Sequence, residues 1–159
     1  MDSIAIWFGE KLGQYIPAEL VRFIVSLLPI LECRGGIIVG RLLGLPLAST
    51  IIISVIGNVL PIPFILLFIK RIFEWLKPTK LFGKLVYKLE NRAMKKSSAL
   101  SKGEFWGLAF FVGVPLPGTG AWTGALIAAL LGIRVKKASI AMLLGVAMAT
   151  VIVSLLMYG

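Results

Sequence analysis

The chain has no histidine, a single cysteine (Cys33) and only seven acidic residues among its 159. Without histidine, Ser-His and Cys-His catalysis and most zinc chemistry are excluded. A lone cysteine excludes an intrachain disulfide and a cysteine-based metal site. The sequence therefore predicts no enzyme, no catalytic residue, no metal and no cofactor. Cys33, between Glu32 and Arg34, is the only candidate nucleophile for the alternative of an intramembrane enzyme.

Apolar residues are unusually abundant, at 58% of the chain with a mean hydropathy of +0.97. Soluble domains hold about 45–50% apolar residues, so the composition predicts an integral membrane protein with one membrane domain over residues 1–159. The net charge of +10 is concentrated, because ten of the seventeen Lys and Arg lie within residues 70–102. Such clustering indicates the cytoplasmic side of the membrane rather than a nucleic-acid surface.

Two segments are predicted to cross the membrane. Leu47–Ile69 and Ala138–Tyr158 are uncharged and at least 20 residues long, enough to span a hydrocarbon core of about 30 Å. The first contains Gly57, Asn58, Pro61 and Pro63, and prolines within a helix predict a kink.

Two further apolar segments are each broken in the middle. Ile16–Leu45 contains PILECRGG, and Glu104–Ile133 contains VPLPGTG. A half of about 10–13 residues reaches only the bilayer midplane, so each segment is predicted to be a re-entrant hairpin. A re-entrant second hairpin also keeps residues 134–137 on the same side as the basic residues 70–102, as the positive-inside rule favours.

The two halves of the chain repeat. A shift of 88 residues pairs Pro29 with Pro117, and it aligns four glycine or proline positions and five apolar ones. Each repeat, 16–76 and 104–159, is then one hairpin and one span, and an odd number of crossings requires the second copy to be inverted. The predicted fold is an all-α integral membrane protein with two inverted repeats and amphipathic interfacial helices, an arrangement typical of transporters.

Two amphipathic segments flank the repeats. Residues 1–15 lack the features of a signal peptide, and Ile4, Trp7, Phe8 and Leu12 follow helical spacing, so they predict an interfacial helix; a disordered tail is the alternative. In the linker 77–103, an apolar stripe (Phe82, Leu85, Val86, Leu89) and a basic one (Lys80, Lys84, Lys88, Arg92) predict a helix on the anionic inner leaflet. A solvated linker is the alternative.

Glu32 and Arg34 are the principal candidate site residues, because charged groups near the midplane are costly and by default functional. Arg34 suits a phosphate or carboxylate. Glu32 is a candidate proton carrier: burial favours its neutral form and Arg34 its charged form, and the sequence leaves the balance open. In the alternative interpretation, the two side chains pair with each other or with the backbone.

The breaker residues complete the predicted substrate or ion site. Glycines at the start of a returning half-helix leave backbone N–H groups free for an anion, although turn geometry or close packing explains each of them equally well. The candidate residues besides the charged pair are Gly35, Gly36, Asn58, Pro117, Gly118, Thr119, Gly120, Trp122 and Thr123. Asn58 alternatively forms an interhelical hydrogen bond, and Trp122 alternatively packs. Glu19, Arg22 and Arg41 are predicted only to cap helices or to reach the interface.

Three motifs, PILECRGG, GNVLPIPF and GVPLPGTGAWTGA, resemble the small multidrug export protein family of short prokaryotic membrane proteins. That family in turn is similar to the DedA/VTT superfamily, whose members have facing re-entrant hairpins in inverted repeats and are implicated in moving lipid phosphates. The resemblance implies an integral membrane protein of the prokaryotic cytoplasmic membrane and matches Glu32 and Arg34 to the charged pair of the first hairpin. The second hairpin departs from DedA proteins, because Thr119 and Gly120 stand where those proteins place an acidic residue.

The function predicted from these features is a small transporter that moves an amphipathic substrate through a midplane site, with proton coupling through Glu32. An anionic lipid head group, such as a polyprenyl phosphate or a phospholipid, is the favoured substrate. Export of hydrophobic cationic drugs and a non-transporting membrane scaffold are the alternatives. The small size of the chain predicts a homodimer within membrane lipids.

Overall fold

The computed structural model describes residues 7, 11, 15–80, 82–96, 103–116 and 118–159. Over these residues the chain is helical and has no strand, which confirms the all-α prediction. The helices are α1 (Ala18–Leu27), α2 (Glu32–Leu42), α3 (Leu47–Val59), α4 (Pro61–Leu76), α5 (Gly83–Lys96), α6 (Glu104–Gly113), α7 (Ala121–Leu130) and α8 (Val135–Tyr158). The predicted helix over residues 1–15 lies outside the described residues, apart from positions 7, 11 and 15.

Two helical segments are long and apolar enough to cross a membrane, Leu47–Leu76 with 30 residues and Val135–Tyr158 with 24. They coincide with the two predicted spans. The first consists of α3 and α4, which Leu60 separates. Pro61 and Pro63 have no N–H to donate to the preceding turn, so the interruption falls where the sequence predicts a kink.

The two broken segments each form a pair of short helices. Residues 28–31 separate α1 from α2, and residues 114–120 separate α6 from α7. The four helices have 10 or 11 residues each, so each is about 15 Å long, half of a hydrocarbon core. Two half-length helices on either side of a break agree in length with the predicted hairpins.

The two helix pairs end in the same way. After α2, Gly44 has φ +67°, and Leu45 and Gly44 donate to the carbonyls of Gly40 and Arg41. After α7, Gly132 has φ +71°, and Ile133 donates to the carbonyl of Ala128. These are Schellman caps, in which a left-handed residue satisfies the last carbonyls of a helix. Gly44 and Gly132 are 88 residues apart, so the caps follow the predicted repeat, whose inversion stays a prediction.

Side-chain contacts locate the ends of the second helix pair. The ammonium of Lys137, at the start of α8, lies 2.7 Å from the carboxylate of Glu104, at the start of α6. The first residue of α6 and the first turn of α8 therefore lie close together, and the re-entrant course of this helix pair stays a prediction. At the opposite end of α8, the hydroxyl of Tyr158 donates to the carbonyl of Leu45, just before α3.

Along the two long segments, large apolar side chains face outward, and several polar side chains are buried together with apolar ones. α8 lies centrally and contacts α2, α3, α4, α6 and α7. Ser54 and Ser154 are buried, whereas Ile52 and Leu155 are exposed. A surface that exposes apolar side chains over buried polar ones is suited to lipid rather than water.

The basic linker forms α5, which packs against α7 and α4. Val86 of the predicted apolar stripe is buried, while Phe82 and Leu85 remain exposed. Outside the apolar segments, Lys77 lies 2.8 Å from the carboxylate of Glu90, and this hydrogen bond raises the pKa of the Lys77 ammonium. Part of the stripe therefore contacts protein, and contact of the rest with anionic lipid stays a prediction.

Candidate functional site

Glu32 caps the second helix pair. Its Oε2 accepts a hydrogen bond from the backbone N–H of Ala121 at 3.0 Å, and its Oε1 accepts one from Trp122 at 3.1 Å. These are the first two residues of α7, where backbone N–H groups have no partner within the helix. A carboxylate there is also favoured by the helix dipole. The buried carboxyl group of Glu32 is thus held by the start of another helix.

Arg34 binds the other side of the same break. Its Nη2 donates to the carbonyl of Val112 at 2.9 Å and to that of Val114 at 3.3 Å, and its Nη1 donates to the carbonyl of Leu116 at 3.3 Å. Val112 lies in the last turn of α6, whose carbonyls have no partner within the helix, and a cation at a helix C-terminus is favoured by the dipole. The side chain of Thr119 lies 3.4 Å from both terminal nitrogens. Arg34 therefore holds the carbonyl end of α6.

Together, Glu32 and Arg34 occupy both dipole ends of the second break. The described residues form two ion pairs, Lys77–Glu90 and Lys137–Glu104. Glu32 and Arg34 do not form an ion pair with each other. Their partners are backbone groups of α6, α7 and the break between them. These contacts match the alternative interpretation in which the two side chains pair with the backbone. They also hold the break of the first helix pair against the break of the second.

The backbone of Glu32 adopts an uncommon conformation, with φ +55°. Residues with a side chain rarely adopt this left-handed region, and such positions cluster at functional sites. The N–H of Glu32 donates to the carbonyl of Leu28 at 3.0 Å. The turn of residues 28–31 thus directs the carboxylate at α7.

Gly120 leaves room for that carboxylate. It has φ +137°, and a Cβ at this position would overlap the carboxylate group of Glu32. Glycine is therefore required both by the backbone and by the close approach. Gly118 also has a positive φ, +76°, whereas Pro117 lies outside the described residues.

Thr119 organises the break itself. Its hydroxyl oxygen lies 2.9 Å from the carbonyl of Val114 and 2.8 Å from that of Leu116, and it accepts from the N–H of Leu116 at 3.3 Å. Gly118, Thr119 and Gly120 thus form the turn that the sequence assigned to an anion site, and in this structure the anion held next to them is the carboxylate of Glu32.

The prediction that Gly35 and Gly36 open a half-helix requires correction. α2 begins at Glu32, and the N–H of Gly35 donates to the carbonyl of Leu31 at 2.8 Å, so it is not free for an anion. A Cβ on Gly36 would overlap the hydroxyls of Ser26 and Ser54. These glycines instead permit close packing of α2 against α1 and α3.

The remaining predicted site residues divide between the junction and the interior. The indole Nε1 of Trp122 donates to the carbonyl of Leu27 at 3.2 Å, across the two helix pairs. Thr123 is half-buried in the first turn of α7. Asn58 is buried on α3, and neither its amide nitrogen nor its oxygen has a hydrogen-bond partner within the described part of the chain.

Arg22 is a second correction, because it does not reach the interface as predicted. It is fully buried, and its Nη1 donates to Thr50 at 2.8 Å and to Ser49 at 3.4 Å. Its Nε and Nη2 have no hydrogen-bond partner among the described residues. Arg22 is the fifth residue of an apolar helix, and this position is the sequence signal that its side chain is unusual. An arginine at such a position either extends to the membrane interface or is enclosed by protein, and here the packing of α3 encloses it.

These features define a small helical membrane protein in which buried Glu32 and buried Arg34 join two broken helix pairs. The chain belongs to the family described as "Putative small multi-drug export protein", whose model matches residues 32–152. No curated protein matches the chain. No solved structure matches it either, so the likeness to DedA proteins stays a prediction. The matched region begins at Glu32 itself.

Proposed function

We propose that this protein exports an amphipathic substrate through a site at the junction of the two helix pairs, with an anionic head group as the part that is recognised. The family is one of small membrane export proteins, which agrees with transport. The observation that carries the proposal is the Glu32 carboxylate on the N–H groups of Ala121 and Trp122.

That contact supports an anion site at the start of α7, because a carboxyl group of the protein itself lies on the N–H groups there. Helix N-termini bind phosphate and carboxylate through the same free N–H groups and dipole. A phosphate head group that reaches α7 competes with the Glu32 side chain for these donors. Arg34 lies across the same break and supplies the cation that a phosphate group prefers.

Displacement of Glu32 provides a means of proton coupling. A carboxylate that leaves the N–H groups of α7 loses the hydrogen bonds that favour its charged form, and burial then favours protonation. Binding of the anion and uptake of a proton by Glu32 thus support each other. The exchange couples substrate movement to a proton without any further charged residue at the junction.

The proposed path lies between two re-entrant hairpins of opposite orientation. The contact of Lys137 with Glu104 supports a common end for both arms of the second helix pair. The contact of Arg22 with Thr50 supports the same for the first. Helices of half-membrane length support a Glu32–Arg34 junction near the midplane. In this proposal the basic residues 70–102 lie at the cytoplasmic side, and a homodimer encloses the path.

Export of hydrophobic cationic drugs is the second candidate, and the family description favours it. In that case Glu32 would bind the cation directly, and Arg34 would serve only to hold α6. A single pair of variants separates the candidates, because Glu32→Gln removes the negative charge and Arg34→Ala removes the positive one.

Native mass spectrometry of the detergent-purified protein tests the proposal. We expect wild type to retain a phosphate-bearing lipid that Arg34→Ala has lost, and to bind added polyprenyl phosphate more tightly than added ethidium. Retention of no anionic lipid, with ethidium bound by wild type and lost in Glu32→Gln, would assign drug export instead. The same spectra give the oligomeric state. If neither variant alters any binding, the junction is not the substrate site.

A further inference from the structure

Six polar residues line the interface between α3 and α8 at regular spacing. On α3 they are Thr50, Ser54 and Asn58, and on α8 they are Thr150, Ser154 and Tyr158. Residues four apart lie on one face of a helix, so each set forms a polar stripe one residue wide. We propose that these stripes form a water-accessible column that leads from the Tyr158 end of the molecule to Cys33, beside Glu32.

Contacts at both ends show that the stripes face each other. The hydroxyl of Tyr158 lies 3.3 Å from that of Thr50. At the other end, the thiol of Cys33 interacts with both Asn58 and Thr150. α3 and α8 therefore run antiparallel with Ser54 and Ser154 at the intermediate level. Eight residues at 1.5 Å each give the column a length of about 12 Å.

The side chains within the column have polar atoms that the protein does not satisfy. Ser54 and Asn58 are at most 1% exposed, and Thr150 and Ser154 are 5% and 7% exposed. Within the described residues, the hydroxyls of Ser54 and Ser154 have no hydrogen-bond partner, and the Asn58 amide and the Thr150 hydroxyl have only the weakly polar Cys33 thiol beside them. Buried polar groups almost always have a partner, and in hydrocarbon an unpaired one costs several kcal/mol. Four such side chains on two facing stripes are the arrangement that a chain of water molecules satisfies.

Neighbouring positions on the same helices differ sharply. Ile52 on α3 and Val151 on α8 are each 58% exposed on the apolar outer surface. Polar residues at these depths are therefore confined to the inner faces. Arg22 lies at the Thr50 level, and its Nε and Nη2 have no hydrogen-bond partner within the described part of the chain. A charged group with unfilled donors therefore lies at the outer end of the column.

The inner end of the column lies next to Glu32, the residue that caps α7. Cys33 directly follows Glu32 in the chain. The column thus connects one end of the molecule with the Glu32–Arg34 junction. Its use as the proton path to Glu32 rests on the proposed function, whereas water access along α3 and α8 is independent of the substrate.

Cysteine accessibility tests the column in proteoliposomes of the full chain. In a Cys33→Ala background, Ser54→Cys and Ser154→Cys place thiols inside the column, and Ile52→Cys and Val151→Cys place matched thiols on the lipid face. Ag⁺, which hydrocarbon excludes, is added first, and free thiols are then counted with a maleimide after denaturation. We expect Ag⁺ to block the two column thiols about tenfold faster than the two controls, since thiol reactivity follows access to water.

Equal rates at all four positions would overturn the column. Wild type provides a second measurement if a variant fails to fold, because native Cys33 is itself buried at the inner end. Blocking of Cys33 by Ag⁺ supports the column, and complete protection contradicts it. Polyprenyl phosphate binding is measured on the same preparations, so that an accessible column with no lipid binding would reject the proposed function and leave the column standing.

Discussion

The Oε2 atom of Glu32 lies 3.0 Å from the backbone nitrogen of Ala121, which is 89 residues further along the chain. The contact joins the first residue of α2 to the first residue of α7. With Arg34 on the carbonyls that end α6, it makes the break of the second helix pair dependent on two side chains of the first. The charged pair therefore has a structural role in this state, and the proposed binding role requires the release of one of its contacts.

Removal of the Glu32 carboxylate should destabilise the protein. Glu32→Ala leaves the N–H groups of Ala121 and Trp122 buried and unpaired, which should lower the free energy of unfolding by about 3 kcal/mol. Glu32→Gln keeps an acceptor but loses the charge, and should cost about 1 kcal/mol. Denaturant unfolding in detergent measures both, with exposed Glu74→Ala as the control. Equal stability of Glu32→Ala and the control would show that the cap is absent in solution.

Gly120 should tolerate no side chain. Gly120→Ala combines a backbone conformation that is nearly exclusive to glycine with an overlap on Glu32, and should cost about 3 kcal/mol or more. Gly44→Ala is the matched control, because Gly44 also has a positive φ but a Cβ there meets no atom within 4 Å. Gly44→Ala should lower the free energy of unfolding by only about 1 kcal/mol, the contribution of backbone strain alone. Similar losses for both variants would contradict the close approach of Glu32 to Gly120.

The guanidinium of Arg34 should not be replaceable by an ammonium. Arg34→Lys keeps the charge but loses the planar fork that reaches several carbonyls at once. We expect the amides of Leu116 and Thr119 to exchange with deuterium about tenfold faster in this variant. Arg41→Lys is the control, because exposed Arg41 donates to the carbonyl of Met157 at the far end of α8. Unchanged exchange in Arg34→Lys would mean that Arg34 does not hold the break.

Arg22 and Thr50 should show strong coupling. Thr50→Val removes the closest partner of a buried guanidinium and should cost about 2 kcal/mol. Arg22→Met replaces the charge by an apolar side chain of similar volume, and should leave the protein equally stable or more stable. In the double variant, most of the cost of Thr50→Val should disappear. Additive effects in denaturant unfolding would show that the Arg22 guanidinium does not depend on Thr50.

The sequence predicted the helices well because hydrophobic length and breaker residues are local signals. Pro61 and Pro63 marked the interruption at Leu60, and the breaks at PILECRGG and VPLPGTG fell between the helices of each pair. The 88-residue repeat also placed matching caps at Gly44 and Gly132. These features depend on residues close together in the chain.

The partners of the charged residues could not be predicted in the same way. Glu32 and Arg34 were identified as important, but their contacts lie 78–90 residues away, and local sequence does not encode such pairing. Arg22 was misjudged for the same reason, because its burial depends on α3. The spacing of Thr50, Ser54 and Asn58 is visible in the sequence, but it points to the proposed column only when the matching stripe on α8 packs antiparallel to it.

The central claim is that the Glu32 carboxylate occupies the anion site of the substrate. The most direct measurement is the Kd of polyprenyl phosphate in nanodiscs for wild type, Glu32→Gln and Arg34→Ala. Weakening the internal competitor should raise the affinity of Glu32→Gln by about tenfold, because more of the protein then has free N–H groups on α7. Arg34→Ala should bind more weakly than wild type. Binding by Glu32→Gln that is equal to or weaker than that of wild type would contradict the claim.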